Sequence, residues 1–504
     1  MFKQTSLGAW VLCVCAFLLA APLLRAGDLA RVTQPDITLD VVYNPNTDPF
    51  SPVSLQGLSR APNGDLFLIE SDSGTVTTRV VRLPQNGTSY GPPEIVFDYQ
   101  TFRSGTFSLP AGDWLYFGDE DVFEIRRVPL NATALTPAQA PALLQLGNHY
   151  DATICPQDTT LSDGSQILYV SANIDWTGHE VPATGNALVR LIFDASGDVT
   201  REDVAFIDDV SGPLIADANG ALTYGRSGST FIGLPGGLFR LPADVVEALT
   251  PAVPLNIDQP QFFLTDNASN AQLGLLNPEA ILTTQTSDSE PDEVWAYDVL
   301  DLSAPRGFRL AEAFAADRGG AGSQIIAFES VIAVSNQQIL FLASDFATSP
   351  ATSILYRLTL PDFITYDFWA GFAFTDSERT SGLDQPDLSP DAEASNALQF
   401  SRNADPTVPD PARAPRLSLI EEAGHTFLTL DILEWDSSSD ATTTVDFTDD
   451  LTQTPSWDIE AIDTGVTIPS GFRTQWRRYR APVPTAEAAQ GFLRQTVEVN
   501  AAGF

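Results

Sequence analysis

The sequence predicts an all-β protein: a six-bladed β-propeller, then a linker, then a small C-terminal β-sandwich. Three observations carry this. A turn-and-strand unit recurs at nearly constant spacing through residues 52–361. The apolar runs within it are short, aromatic-rich and bounded by turns, with no amphipathic helices between them. At Asp362 the composition shifts, and alternating apolar segments resume only after Arg416.

The elements follow in chain order. Lys3 begins a positively charged stretch, residues 7–24 form an apolar run, and Ala26 offers a small residue for cleavage, so residues 1–26 read as a secretory signal. Of the 504 residues 26 are basic and 65 acidic, a net charge of −39. Loss of Lys3 and Arg25 makes the mature chain more acidic still. Cys13 and Cys15 leave with the signal, so Cys155 has no internal disulfide partner. The only lysine is Lys3. Such a surface repels nucleic acid and anionic membranes, which excludes both as partners, and no later run is long enough to span a bilayer. The address is therefore secreted or periplasmic, with a carbohydrate or another exported component as partner.

The repeat has two parts. The first is a turn followed by a strand: APNGDLFLIE, PAGDWLYFGD, SDGSQILYVS, DANGALTYG and SNQQILFLAS. Gly64, Gly112, Gly164 and Gly220 mark four of these turns, at spacings of 48, 52 and 56 residues, with further copies expected near Asp292 and Gln337. The second part is a strand with an arginine near its middle: VVRLP, EIRRVPL, LVRLIF, LFRLP and LYRLTLP, with VWAYDVL as a copy lacking the arginine. Units of about 50 residues, each four strands, fit radial repetition in a propeller. Residues 243–249 and 310–316 are the short helical candidates.

Residues 376–415 are rich in Asp, Ser, Pro and Ala and read as a linker. Within them, DLSPDAEASNALQFSRNADPTVPDP resembles an aspartate-rich calcium-binding element of secreted proteins from aquatic bacteria. Asp387, Asp391, Asn396, Phe400 and Asp405 fall in register with it. Ser389, Pro390 and Ala392 replace an acid and two glycines, leaving Asp387 and Asp391 as the residual candidate metal ligands on a helical linker. The final segments, among them VDFTDDL, SW and GFLRQTVEV, resemble a C-terminal accessory module, with Asp450, Leu451 and Trp457 matching its pattern.

Few residues suggest chemistry. No nucleophile elbow, phosphate loop, HExxH or CxxC motif is present, and three histidines in all argue against a multi-histidine metal centre. The densest cluster of rare residues is GNHYDATICPQDTTLSDGSQILYVSANIDWTGHE, which holds His149, Cys155 and His179. With the following GNALVRLIFD it resembles the soluble pyrroloquinoline-quinone (PQQ) sugar dehydrogenases, including the sorbosone-dehydrogenase-like branch. That resemblance implies PQQ and calcium as cofactors and His149 as the base that takes the sugar hydroxyl proton. Glu70, Asn173, Asp217 and Glu279 are of the types a calcium-dependent propeller lactonase would need. The candidate ligand-binding residues are Asp151, Asn173, Asp175, His179, Glu180 and Arg190. Two function classes stay open: an exported propeller binding a ligand or surface component through its loop face, and an enzyme, either the quinone-dependent dehydrogenase or the lactonase.

Overall fold

The computed structural model describes residues 29–46, 52–119, 121–146, 148–154, 166–175, 184–194, 198–207, 212–226, 237–265, 269–286, 290–347, 351–385, 388, 395–404, 406, 410–438, 441–449, 457, 459–487 and 490–499. The signal segment and Cys155 lie outside them.

The chain is all-β and propeller-like. Up to Thr359 the long strands form six antiparallel sheets among the described residues. The first joins Val53–Arg60, Leu66–Asp72, Thr77–Leu83 and Glu94–Asp98; the second runs from Gly105–Ala111 outward to Leu144–Gln145. The third comprises Asn148–Thr153, Gln166–Asp175, Thr184–Phe193 and Val199–Ile207, with Leu255–Asn256 added in parallel. The fourth starts at Leu214–Ala216, the fifth at Ser269–Asn277 and the sixth at Ile326–Ala333. The first strand of each sheet contacts the first strand of the next, and that of the sixth returns to Val53–Arg60.

This arrangement follows from burial. Middle strands such as Leu66–Asp72 and Gln338–Asp345 are buried almost throughout, because both faces of each sheet are covered. One apolar cluster fills each junction. Phe67, Ile69 and Phe97 meet Leu115 and Phe117 between the first and second sheets. Leu66, Leu68 and Val81 meet Leu340, Leu342 and Leu355 between the first and sixth. Each such Leu, Ile or Phe contributes about 1.5–3 kcal/mol by leaving water. The turn glycines behave as the repeat requires: Gly64 has φ +94° and Gly220 φ +91°. Gly64 N–H donates to Ala61 O at 2.9 Å, closing its turn.

Three expectations need correction. The fifth turn is not near Asp292 but between Asn277 and Ala280, where the first two strands of that sheet reverse. Its Pro278 and Glu279 replace the Asn-Gly signature. Of residues 310–316, the first four end the outer strand Arg306–Ala313, held by pairing with Glu293–Asp298, and only Ala316 enters a short 3-10 turn; the helix over Ala243–Glu247 is present. Chain preceding the repeat also enters the ring. Thr38–Tyr43 is the outermost strand of the sixth sheet, beside Thr352–Thr359, and Ala30–Val32 extends the fifth.

The third correction concerns the linker. Described residues of 362–415 pack on the ring as well as linking it onward. Helices Tyr366–Ala373 and Asn396–Ser401 bury Tyr366, Trp369 and Phe400 in one core with the fifth and sixth sheets. Aromatic residues within an otherwise polar composition account for this. Beyond it, a sheet ordered Arg416–Glu422, His425–Trp435, Thr474–Arg480, Ile462–Pro469 lies against a three-stranded sheet of Ala441–Thr448, Ile459–Glu460 and Phe492–Val499. Leu430, Ile432 and Tyr479 of the first meet Val445 and Leu493 of the second.

The C-terminal part is keyed to the fifth sheet by charge. Arg413, almost fully buried, ion-pairs with Asp298 and Asp410, each at 2.7 Å. The second oxygen of Asp298 accepts from Phe472 N–H at 2.9 Å, and Phe472 stacks on Phe308. Arg473 pairs with Asp436 and donates to the carbonyl of Pro361.

Candidate functional site

A cavity of about 260 Å³ lies on the axis of the ring, bounded by the inner strands of all six sheets. Its polar lining comprises Ser59, Arg60, Ser108, Asp151, Thr153 and Gln272; apolar groups such as Leu58 and Leu273 supply the rest.

A recurring irregularity aims these side chains. In the first, third, fifth and sixth sheets the inner-strand register slips before Ser59, Asp151, Gln272 and Ser330. The second sheet slips beside Ser108. A bulge re-aims the residue that follows it; Ser59, Ser108, Asp151 and Gln272, from four of the sheets, line the cavity, whereas Ser330 of the sixth is buried and does not.

Asp151 is the central member. It is 4% exposed. One oxygen accepts from Ala152 N–H at 2.8 Å and the other from Leu214 N–H at 2.9 Å, on the fourth sheet. Gln272 of the fifth sheet also bonds it. Burial pushes its pKa up to about 7, against the lowering effect of these hydrogen bonds. Near neutrality it therefore interchanges between carboxylate and acid, and offers an acceptor or a donor. Thr153 Oγ1 accepts from Ala216 N–H, tying the same two sheets. The hydroxyls of Ser59 and Ser108 lie 2.7 Å apart, and Arg60 donates to Val334 O at 3.2 Å.

The other candidate residues are placed as follows. His149 lies on the inner strand of the third sheet opposite Ala172, two residues before Asp151. Asn173 and Asp175 end the neighbouring strand, with Asn173 opposite both Asn148 and Asn186. The side chains of these three lie outside the described residues, as do His179, Glu180, Asp387 and Asp391 altogether. Arg190 stands on the third strand, opposite Tyr169, and its guanidinium pairs with Glu202 at 2.5 Å. Thus Asp151 lies in the cavity wall, His149 lies toward the end where the inner strand begins, and Arg190 is engaged farther out in the sheet.

Glu70, Asp217 and Glu279 are engaged separately. Glu70 accepts from Tyr43 O–H, Asp217 pairs with Arg240, and Glu279 accepts from Ser470 O–H. Among the described residues no group of three or more His, Cys, Asp or Glu is placed to hold a metal ion. A tricarboxylated quinone needs several cations. The described cavity lining offers one guanidinium, Arg60, which donates to the Val334 carbonyl, and does not fit that group. Ser59, Ser108, Thr153 and Gln272 were missed in the sequence. Their signal is slight: a lone polar residue inside an apolar inner-strand run.

No family model and no curated protein matches the chain. Among solved structures it is similar to a protein of unknown function from Dyadobacter fermentans, at 12% identity over 65% of this chain and 100% of that one, with a TM-score of 0.41. It is similar to a gluconolactonase from Xanthomonas campestris, at 13% identity over 66% and 95%, with a TM-score of 0.40. A third likeness is to the PQQ-bound aldose sugar dehydrogenase of Streptomyces coelicolor, at 13% identity over 64% and 98%, with a TM-score of 0.31. The fold described above rests on strand pairing and burial. No described helix is long and apolar enough to cross a membrane.

Proposed function

We propose that the protein is an exported six-bladed β-propeller that binds a small, uncharged, hydroxyl-rich ligand, with a C-terminal β-sandwich docked as an accessory module. The observation that carries this is the axial cavity with its belt of hydroxyl, amide and buried carboxyl groups. At about 260 Å³ it is smaller than the roughly 300–1,000 Å³ of drug-sized sites, which favours a compact ligand. A carboxyl with a pKa near 7 suits neutral donors and acceptors better than a cation or an anion. The loop end of the third sheet, with His149, Asn173 and Asp175, would form the adjoining rim.

Titration calorimetry with a panel of neutral monosaccharides and polyols tests the reading. Binding should appear for at least one member and weaken about tenfold or more in Gln272→Leu, which removes one cavity hydrogen bond and leaves an apolar side chain. If no neutral polyol binds, the reading fails. The enzyme reading is checked separately by adding PQQ and calcium and following aldose-dependent dye reduction. Activity that disappears in His149→Ala would replace the binding reading.

A further inference from the structure

We propose that the strand Arg416–Glu422 is a docking edge for a second copy of this chain, which adds its own Arg416–Glu422 antiparallel about a two-fold axis at Leu419. This strand borders the four-stranded C-terminal sheet and, among the described residues, pairs on one side only, with His425–Trp435, through seven consecutive residue pairs. Six of its seven residues are exposed, and Ile420 is half-buried. Leu417 and Leu419 stand 65% and 62% exposed. Their cross-strand partners Leu430 and Leu428 point to the face that meets the three-stranded sheet. Two leucines on that face therefore stay largely in solvent.

An edge of unbroken register that exposes two leucines, with a row of backbone groups unpaired among the described residues, is a template for pairing. The opposite edge, Ile462–Pro469, also carries exposed apolar residues, but its register breaks between Asp463 and Thr467 and it ends in proline. Those are features that blunt an edge.

Charge selects the occupant. The sequence RLSLIEE is self-complementary when reversed. Centring the pair on Leu419 sets Leu419 against Leu419 and, at both ends, Arg416 of one copy against Glu422 of the other. A two-fold arrangement repeats each contact, as closed symmetry requires. Parallel pairing would set like charges side by side. Within one copy Arg416 reaches across His425–Trp435 to lie over the ring of Trp476, and Glu422 pairs with Arg480 of the same strand as Trp476 at 2.9 Å, so pairing between copies exchanges these contacts for the intermolecular ones. The contact is narrow, so the dimer should be weak and concentration-dependent.

Sedimentation velocity over a concentration series tests this on the full chain. The wild type should shift from monomer to dimer. Arg416→Glu alone and Glu422→Arg alone should each weaken the dimer about tenfold or more, because each sets like charges opposite at both ends. An equimolar mixture of the two variants should restore it, since every facing pair is then complementary. Each variant keeps its own loss of the Trp476 or Arg480 contact in the mixture, so recovery reports the new pairing alone. A wild type that stays monomeric at every soluble concentration, as when the chain's own terminal residues cover the edge, overturns the proposal. So does a mixture that associates no better than the separate variants.

Discussion

Asp151 shows how much a single side chain can couple. It joins the third sheet to the fourth through Leu214, 63 residues away, and reaches Gln272 of the fifth. Its folded-state value of about 7 lies above the roughly 3.9 of an unfolded chain. The folded state therefore holds the proton between those values, and the contribution to stability falls as pH rises from about 4 through about 7. Asp151→Asn keeps an acceptor for Leu214 and removes the titration. Between pH 5 and 8, wild-type stability should fall relative to this variant by about 1–4 kcal/mol, read from denaturant unfolding at each pH. Arg413 is a second such residue. Arg413→Met leaves Asp298 buried and unpaired and should cost about 3–5 kcal/mol in unfolding free energy; adding Asp298→Asn should recover part of it. Asp151 was legible as a candidate through its neighbour His149. Its real distinction, burial between sheets, was not, because the partners are distant in sequence and the register that aligns them leaves no local trace.

The elements were unevenly legible. Second strands announced themselves through Asn-Gly and related turns, and third strands through their arginine. The structure gives that arginine several uses. Arg82 and Arg190 pair with Glu94 and Glu202 on the next strand, whereas Arg240 reaches Asp217 and the Pro278 carbonyl of the following sheet. Outer strands were the hardest to see, since they lie at the rim and carry weaker alternation; Arg306–Ala313 was taken for a helix on that account. The inner-strand bulges were invisible. At Gly57 the bulge has φ +60°, and an added Cβ would stand 2.9 Å from the backbone carbon of Phe107 in the second sheet. Gly57→Ala should therefore destabilise by about 1–3 kcal/mol, measured as a lowered thermal midpoint, through the junction of the first two sheets. The same substitution at Gly112, whose Cβ would meet nothing within 4 Å, should cost less, from its positive φ alone.

For the whole molecule, the packed segment 362–415 changes the domain picture. Trp369, Phe400, Trp435 and Phe472 share one core with the fifth and sixth sheets, and Arg413 and Arg473 lock the C-terminal sheets to it. The composition of that segment suggested a flexible tether because polar residues outnumber the few aromatics that anchor it. Ring and C-terminal part should consequently unfold in a single calorimetric transition. Limited proteolysis should not release an intact ring; two separable transitions would show that the shared core does not couple them.

The closing of the ring also sets an order of events in time. Thr38–Tyr43 pairs with Thr352–Thr359, and Leu29 N–H finds its acceptor on Tyr356, 327 residues onward. An early-made strand must wait, unpaired, until almost the whole ring has been synthesised. Closure over so long a loop is slow and leaves sheet edges open meanwhile. A nascent chain of this design gains nothing from folding early, and can be kept extended for passage through a narrow pore without first having to undo a finished ring.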